Sequence, residues 1–176
     1  MQQIARDEIL PRFAKIGFAV KQDGSLLTEA DLATNRRIEA FLQQHWPYIA
    51  FLSEEMELEA QEQLLREADA LWCLDPLDGT SNFAAGLPLF AVSLALFERG
   101  EVVLALTYDP VRDEMFSAAR GQGAWLNGQP LRCQPSAFAL RNAVAIVDFK
   151  RLSTPLKRAL SEAAPYGSQR NLGSCV

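Results

Sequence analysis

The chain has 176 residues, 49% of them apolar, enough for one medium domain or one domain plus part of another around a buried core. Its 17 Lys and Arg residues against 22 Asp and Glu give a formal charge of −5, so bulk electrostatics draws it to neither nucleic acid nor an anionic membrane. No apolar run reaches the roughly 18 residues that a membrane span needs, and Arg6, Asp7, Glu8, Arg12 and Lys15 argue against a signal peptide within residues 1–19, so the cytoplasm is the expected compartment.

In chain order, residues 2–15 predict a helix broken near Pro11, whose ring removes a backbone donor. Lys21-Gln22-Asp23-Gly24-Ser25 reads as a turn. Thr28-Glu29-Ala30-Asp31 reads as a capping box with Thr28 as N-cap; its helix should run to about Gln44 and stop at Pro47. Residues 49–52 predict a short strand, and residues 55–67, rich in Glu, Gln and Leu, a surface helix. The periodicity then changes. Residues 70–74 predict a short buried strand. Residues 89–97 and 102–108 predict two more, joined by the hairpin signal Glu98-Arg99-Gly100-Glu101. Residues 114–118 and 123–126 read as further strands, and Asn127-Gly128 is the strongest hairpin dipeptide in the chain. Residues 143–147 predict a strand and residues 154–163 a helix. Helices first and a largely antiparallel meander after them argue an α+β fold. We expect residues 1–140 to form a helical plus antiparallel-sheet domain, and residues 141–176 to begin an α/β domain.

Cys73, Cys133 and Cys175 are far apart and form no CxxC pair, which disfavours a zinc ribbon or a redox dithiol; reduced structural thiols are expected. The single histidine, His45, falls at a predicted helix end and reads as a polar terminal residue. Catalysis by a histidine base or a Ser-His-Asp triad is poorly supported. Chemistry here has to run on carboxylates, hydroxyls, lysine or metal.

The densest constellation is Asp75-Pro76-Leu77-Asp78-Gly79-Thr80-Ser81-Asn82, placed after a short apolar strand. Two carboxylates three residues apart, across a turn set by Pro76 and Gly79, can converge on a hard divalent cation such as Mg²⁺. If a helix starts at Gly79-Thr80-Ser81, its free N–H groups can bind phosphate. The same residues also suit a plain type I turn. Taken singly, Ser53-Glu54-Glu55 reads as a helix start, Asp31 as a capping-box acid, and Lys21-Gln22-Asp23-Gly24 as a turn.

Together these residues resemble the inositol monophosphatase family. Lys21, Asp23, Gly24, Thr28, Asp31, Glu54, Glu55, Asp75, Pro76, Asp78, Gly79, Thr80 and Asn82 occur in that family's order and rough spacing. The segment 75–82 is similar to its signature Asp-Pro-x-Asp-Gly-Thr-x-Asn. Gly86-Leu87-Pro88-Leu89-Phe90-Ala91-Val92-Ser93 and Gly121-Gln122-Gly123-Ala124-Trp125-Leu126-Asn127-Gly128 look like its following strand and later hairpin, and Gly173-Ser174-Cys175 like its loop near the substrate. The resemblance implies a Mg²⁺-dependent, lithium-sensitive phosphomonoesterase with an α/β/α/β/α layered fold, commonly a homodimer. It implies metal binding by Glu54, Asp75, Asp78 and the Leu77 carbonyl. Thr80 would orient and activate the attacking water, with Asp31 as its hydrogen-bond partner and Glu54 assisting. It implies phosphate or substrate contacts at Asp78, Gly79, Thr80, Ser81, Gly173, Ser174 and Cys175. Glu55 would stand behind the ligands, and Lys21 near a third, labile metal position.

The family's downstream Trp-Asp segment, whose Asp binds the second metal, does not occur: Trp46, Trp72 and Trp125 precede Pro, Cys and Leu. The chain is therefore expected to be a member cut inside its second α/β half, with a weakened second metal position and an open substrate wall. Inositol monophosphate is the expected substrate. Fructose 1,6-bisphosphate and 3'-phosphoadenosine 5'-phosphate are the alternatives, and a non-catalytic metal- and phosphate-binding remnant is the alternative to an enzyme.

Overall fold

A computed structural model of the chain describes residues 1–15, 17–20, 26–132 and 139–174. They fall into two compact units, one over residues 1–131 and a second beginning at Arg132.

The first unit opens with helix α1 (Gln2–Glu8), a 3-10 turn (Leu10–Arg12) containing Pro11, and the two-stranded ribbon β1 (Ala19–Val20) and β2 (Leu26–Leu27). The break lies at the predicted proline. The turn expected at Lys21–Ser25 lies outside the described residues. Helix α2 (Glu29–His45) follows with Thr28 as N-cap and both capping-box bonds present. Its buried positions Ala30, Thr34, Ile38 and Leu42, spaced by four, form one stripe that packs on the sheet.

The sheet has seven strands in sequence order: β3 (Ala50–Ser53), β4 (Ala70–Asp78), β5 (Ala91–Glu98), β6 (Glu101–Asp109), β7 (Glu114–Ala119), β8 (Gly123–Leu126) and β9 (Gln129–Leu131). Helix α3 (Leu58–Glu67) joins β3 to β4, and these two strands pair in parallel; every other neighbouring pair is antiparallel. Helix α3 buries none of its residues, as a surface helix should. Helix α4 (Thr80–Ala84) lies between β4 and β5. The two predicted hairpins form. Arg99 and Gly100 take φ of 53° and 78°, and Asn127 and Gly128 φ of 50° and 77°. Left-handed conformation at both central positions matches the right-handed twist of the strands. The core gathers Ile9, Ile38, Leu74, Leu77, Phe83, Phe90, Val92 and Tyr108, with Phe83 edge-on to Phe90 at 5.2 Å.

Strand β4 departs from expectation. The strand predicted over residues 70–74 continues to Asp78, so both aspartates lie on β4 itself rather than in a turn beyond it. The cause is the partner strand. Asp75 pairs with Ser93 and Asp78 with Ala91, so Pro76 and Leu77 face Val92 alone across a bulge. Pairing with β3 ends at Leu74, so Pro76, which has no N–H to give, sits where β4 has a neighbour on one side only.

The second unit holds β10 (Val144–Ile146), α5 (Thr154–Ala163) and β11 (Ser168–Arg170), with β10 and β11 parallel. Helix α5 spans the predicted residues; β11 was not expected from the sequence. Among the described residues no helix is long and apolar enough to cross a membrane.

Candidate metal and phosphate site

Parallel pairing of β3 with β4 sets two acid-bearing segments side by side. At the end of β3 the Glu54 N–H donates to the Leu74 carbonyl at 3.3 Å, which extends the ladder by one residue. The chain then turns: Met56 N–H donates to the Ser53 carbonyl at 3.1 Å, and the Glu55 N–H to the buried Ser53 hydroxyl at 3.2 Å. Adjacent residues of a strand point to opposite faces. This turn instead lets Glu54 and Glu55 face the same region. One carboxylate oxygen from each of Asp31, Glu54 and Glu55 lies within 4.8 Å of the other two. Asp75 joins through a side-chain hydrogen bond with Glu54.

Asp31 is fully buried and does two things at once. Its Oδ2 accepts from the Thr28 N–H at 2.8 Å and from the Thr28 hydroxyl, completing the capping box. Its Oδ1 accepts from the Thr80 hydroxyl at 3.1 Å, across 49 residues of sequence. The local role and the role implied by resemblance thus belong to different oxygens of one side chain. The Thr80 hydroxyl also lies 2.9 Å from the Leu77 carbonyl. It has one proton for these two acceptors, so it donates to one at a time and keeps its lone pairs for a third partner.

Gly79 precedes α4 with φ of 89°, a left-handed conformation that only glycine takes cheaply. It turns the chain out of β4 and presents Thr80. Ser81 is exposed. Asn82 is buried, donates from Nδ2 to the Leu89 carbonyl at 2.7 Å, and accepts at its own carbonyl from the Leu87 N–H at 2.8 Å. It closes the loop from α4 to β5, a structural task that the motif alone did not reveal.

The electrostatics follow from crowding. Burial first, and the charge of Asp78 second, raise the Asp75 carboxyl to about 6; the Leu77 N–H, donating to its Oδ1 at 3.1 Å, and the bond with Glu54 work against that rise. Burial also raises Asp31, with the Glu55 charge adding to it, while its bonds from Thr28 and Thr80 oppose. A hard divalent cation fits this donor set, which is made of oxygen throughout and whose like charges disfavour full ionisation without a counter-charge.

From the expected set, contacts in the first unit link Asp31, Glu54, Asp75, Leu77 and Thr80, and the Asp78 charge acts on Asp75; Gly79 and Ser81 adjoin them in the chain, and the tight carboxylate trio itself is Asp31, Glu54 and Glu55. Gly173 and Ser174 lie in the second unit, where the Gly173 N–H donates to Asn171 Oδ1 at 3.1 Å. Cys175 and Lys21 lie outside the described residues. Sequence reasoning underweighted Glu55, which sits inside the tight trio. The available signal was its position directly after Glu54 at a strand end. It missed Gln61 altogether, whose side-chain amide donates to the Glu54 and Met56 carbonyls.

Residues 1–174 match the family model described as the inositol monophosphatase family. Nus factor SuhB of Escherichia coli strain K12 is 42% identical over 113 residues, covering 64% of this chain and 40% of that protein. A solved structure of a Thermotoga maritima IMPase superposes with a TM-score of 0.81 at 27% identity, covering 99% of this chain and 65% of that one. An IMPase/NADP phosphatase solved with Mg²⁺ and phosphate superposes with a TM-score of 0.81 at 26% identity, covering 99% of this chain and 64% of that one. The chain thus spans about 40% of the length of the curated relatives it matches.

Proposed function

The chain belongs to the inositol monophosphatase family, and on that premise we propose that it works as a Mg²⁺-dependent phosphomonoesterase on inositol monophosphate or a related small phosphate ester. The observation that carries this reading is Thr80. Its hydroxyl is held between Asp31 Oδ1 and the Leu77 carbonyl, beside a converging set of carboxylates. Asp31 already accepts two hydrogen bonds from Thr28 and shares the Thr80 proton with the Leu77 carbonyl, so Glu54, Glu55, Asp75, Asp78 and the Leu77 carbonyl are the groups that would hold the cation. A bound divalent cation supplies charge neutralisation of the phosphate dianion, a more acidic bound water and stabilisation of the leaving oxygen. Thr80 would orient the attacking water, with Asp31 fixing the direction of its hydroxyl. The N–H groups at Gly79 and Thr80 would contact the phosphate. We read the working form as a homodimer. None of this chemistry calls on His45, which bonds the Phe41 carbonyl at the end of α2.

The test is phosphate release from inositol 1-phosphate, with fructose 1,6-bisphosphate and 3'-phosphoadenosine 5'-phosphate alongside. Mg²⁺-dependent release that Asp75→Asn abolishes supports the reading. Release that survives in Asp75→Asn overturns the assignment of Asp75. A second reading, a Nus-factor role, is favoured by the identity to the Escherichia coli relative of that name. It predicts that a hydrolysis-dead Asp75→Asn chain still substitutes for that relative in cells.

A further inference from the structure

The turn that carries Glu54 and Glu55 is tied on two sides. On the inner side Ser53 holds it, through its carbonyl to the Met56 N–H and its hydroxyl to the Glu55 N–H. On the outer side the carbonyls of Glu54 and Met56 both accept from one group, the Gln61 side-chain amide, at 3.3 and 2.8 Å. Gln61 sits in the first turn of α3, where its own N–H donates to the Glu57 carbonyl at 3.1 Å. Side chains on a helix lean toward its N-terminus, so an amide at this position reaches back over the turn that precedes the helix.

That turn is under load. Oxygens of Asp31, Glu54 and Glu55 crowd within 4.8 Å, and Asp75 lies beside them. The Glu55 charge acts against that of Asp31, and Glu54 reaches Asp75 from the solvent side, so the turn must hold both carboxylates in the crowd. A tie to the backbone of a ligand residue that does not itself touch the cation is the kind of support that keeps carboxylates aimed at it.

We propose that Gln61 is a positioning residue whose amide holds the Glu54–Met56 turn in the shape in which Glu54 and Glu55 bind a divalent cation. This rests on the cation-dependent reading above. Gln63, two residues on in α3, points elsewhere and bonds Glu67 at 3.1 Å, which makes it the matched control.

The experiment is Mg²⁺ titrated calorimetrically into the metal-free full chain, for wild type, Gln61→Ala, Gln61→Met and Gln63→Ala, with urea unfolding in EDTA for each. Ala and Met are both good helix formers, so α3 should keep its stability. Met also keeps the length of Gln while lacking the donor. Expected is a loss of affinity of about tenfold in both Gln61 variants, none in Gln63→Ala, and unfolding midpoints in EDTA that match wild type. Wild-type affinity in Gln61→Met overturns the proposal, and so does a drop in its EDTA midpoint that accounts for the lost affinity. Absence of Mg²⁺ uptake by wild type overturns the cation-dependent reading and the proposal with it. That result is distinct from the others, in which wild type binds.

Discussion

Asp75→Asn should change the pH dependence of stability in a way that the crowding of the carboxylates dictates. In the folded, metal-free chain the Asp75 carboxyl is raised from 3.8 to about 6 by burial and by Asp78. A raised carboxyl favours the fold while it holds its proton. Its contribution is full below pH 3.8 and is lost as the pH rises through about 6. The whole loss is about 3 kcal/mol, of which roughly 1.4 kcal/mol falls between pH 5 and pH 8. Asparagine resembles the protonated acid and cannot ionise. The assay is urea unfolding in EDTA at pH 5, 6, 7 and 8 for both proteins. The stability of Asp75→Asn relative to wild type should climb by about 1.4 kcal/mol across that range. Mg²⁺ at a hundredfold excess over its dissociation constant should then stabilise wild type by about 2.7 kcal/mol and the variant much less. A difference between the two proteins that stays flat from pH 5 to pH 8 would refute the reasoning, because it would mean that Asp75 carries no strain to relieve.

Two other substitutions separate the site from its scaffold. Thr80→Val removes the hydroxyl that Asp31 orients. Hydrolysis should fall about a hundredfold or more, with Thr80→Ser recovering most of it, as steady-state kinetics would show. Asn82→Ala strips the loop clamp and leaves the part-buried Leu89 carbonyl without its donor. Thermal or urea melts should show a loss of about 1–3 kcal/mol, and Mg²⁺ affinity should fall with it only as far as the loop loosens.

Much of the candidate site was legible because its chemistry is written in residue types. Asp75, Asp78 and Thr80 stood out before any coordinates as two carboxylates and a hydroxyl around a glycine turn, whereas Glu54 read singly as a helix start and was named only through the family resemblance. Glu55 and Asn82 were weighed less well. Whether Glu55 faces the cluster depends on how the chain leaves β3, and whether Asn82 serves chemistry or structure depends on Leu89 lying within reach of its amide. Gln61 left no trace, because a glutamine in a polar surface helix looks like any other.

The elements settled by the sequence alone are those whose causes are local. The Thr28–Asp31 box starts α2, Pro11 breaks the first helix, two dipeptides with left-handed residues make hairpins at Arg99-Gly100 and Asn127-Gly128, and α5 spans its predicted residues. The tertiary structure decided what rests on distant partners. Pairing with β5 carries β4 through Pro76 to Asp78 by way of a bulge. Parallel pairing with β3 brings Glu54 to Asp75 from 21 residues away. The second oxygen of Asp31 finds Thr80 only because α2 packs on β4. Capping and turn energies act within a few residues and show in the local sequence. The convergence of like charges is imposed by sheet register, which local sequence does not specify.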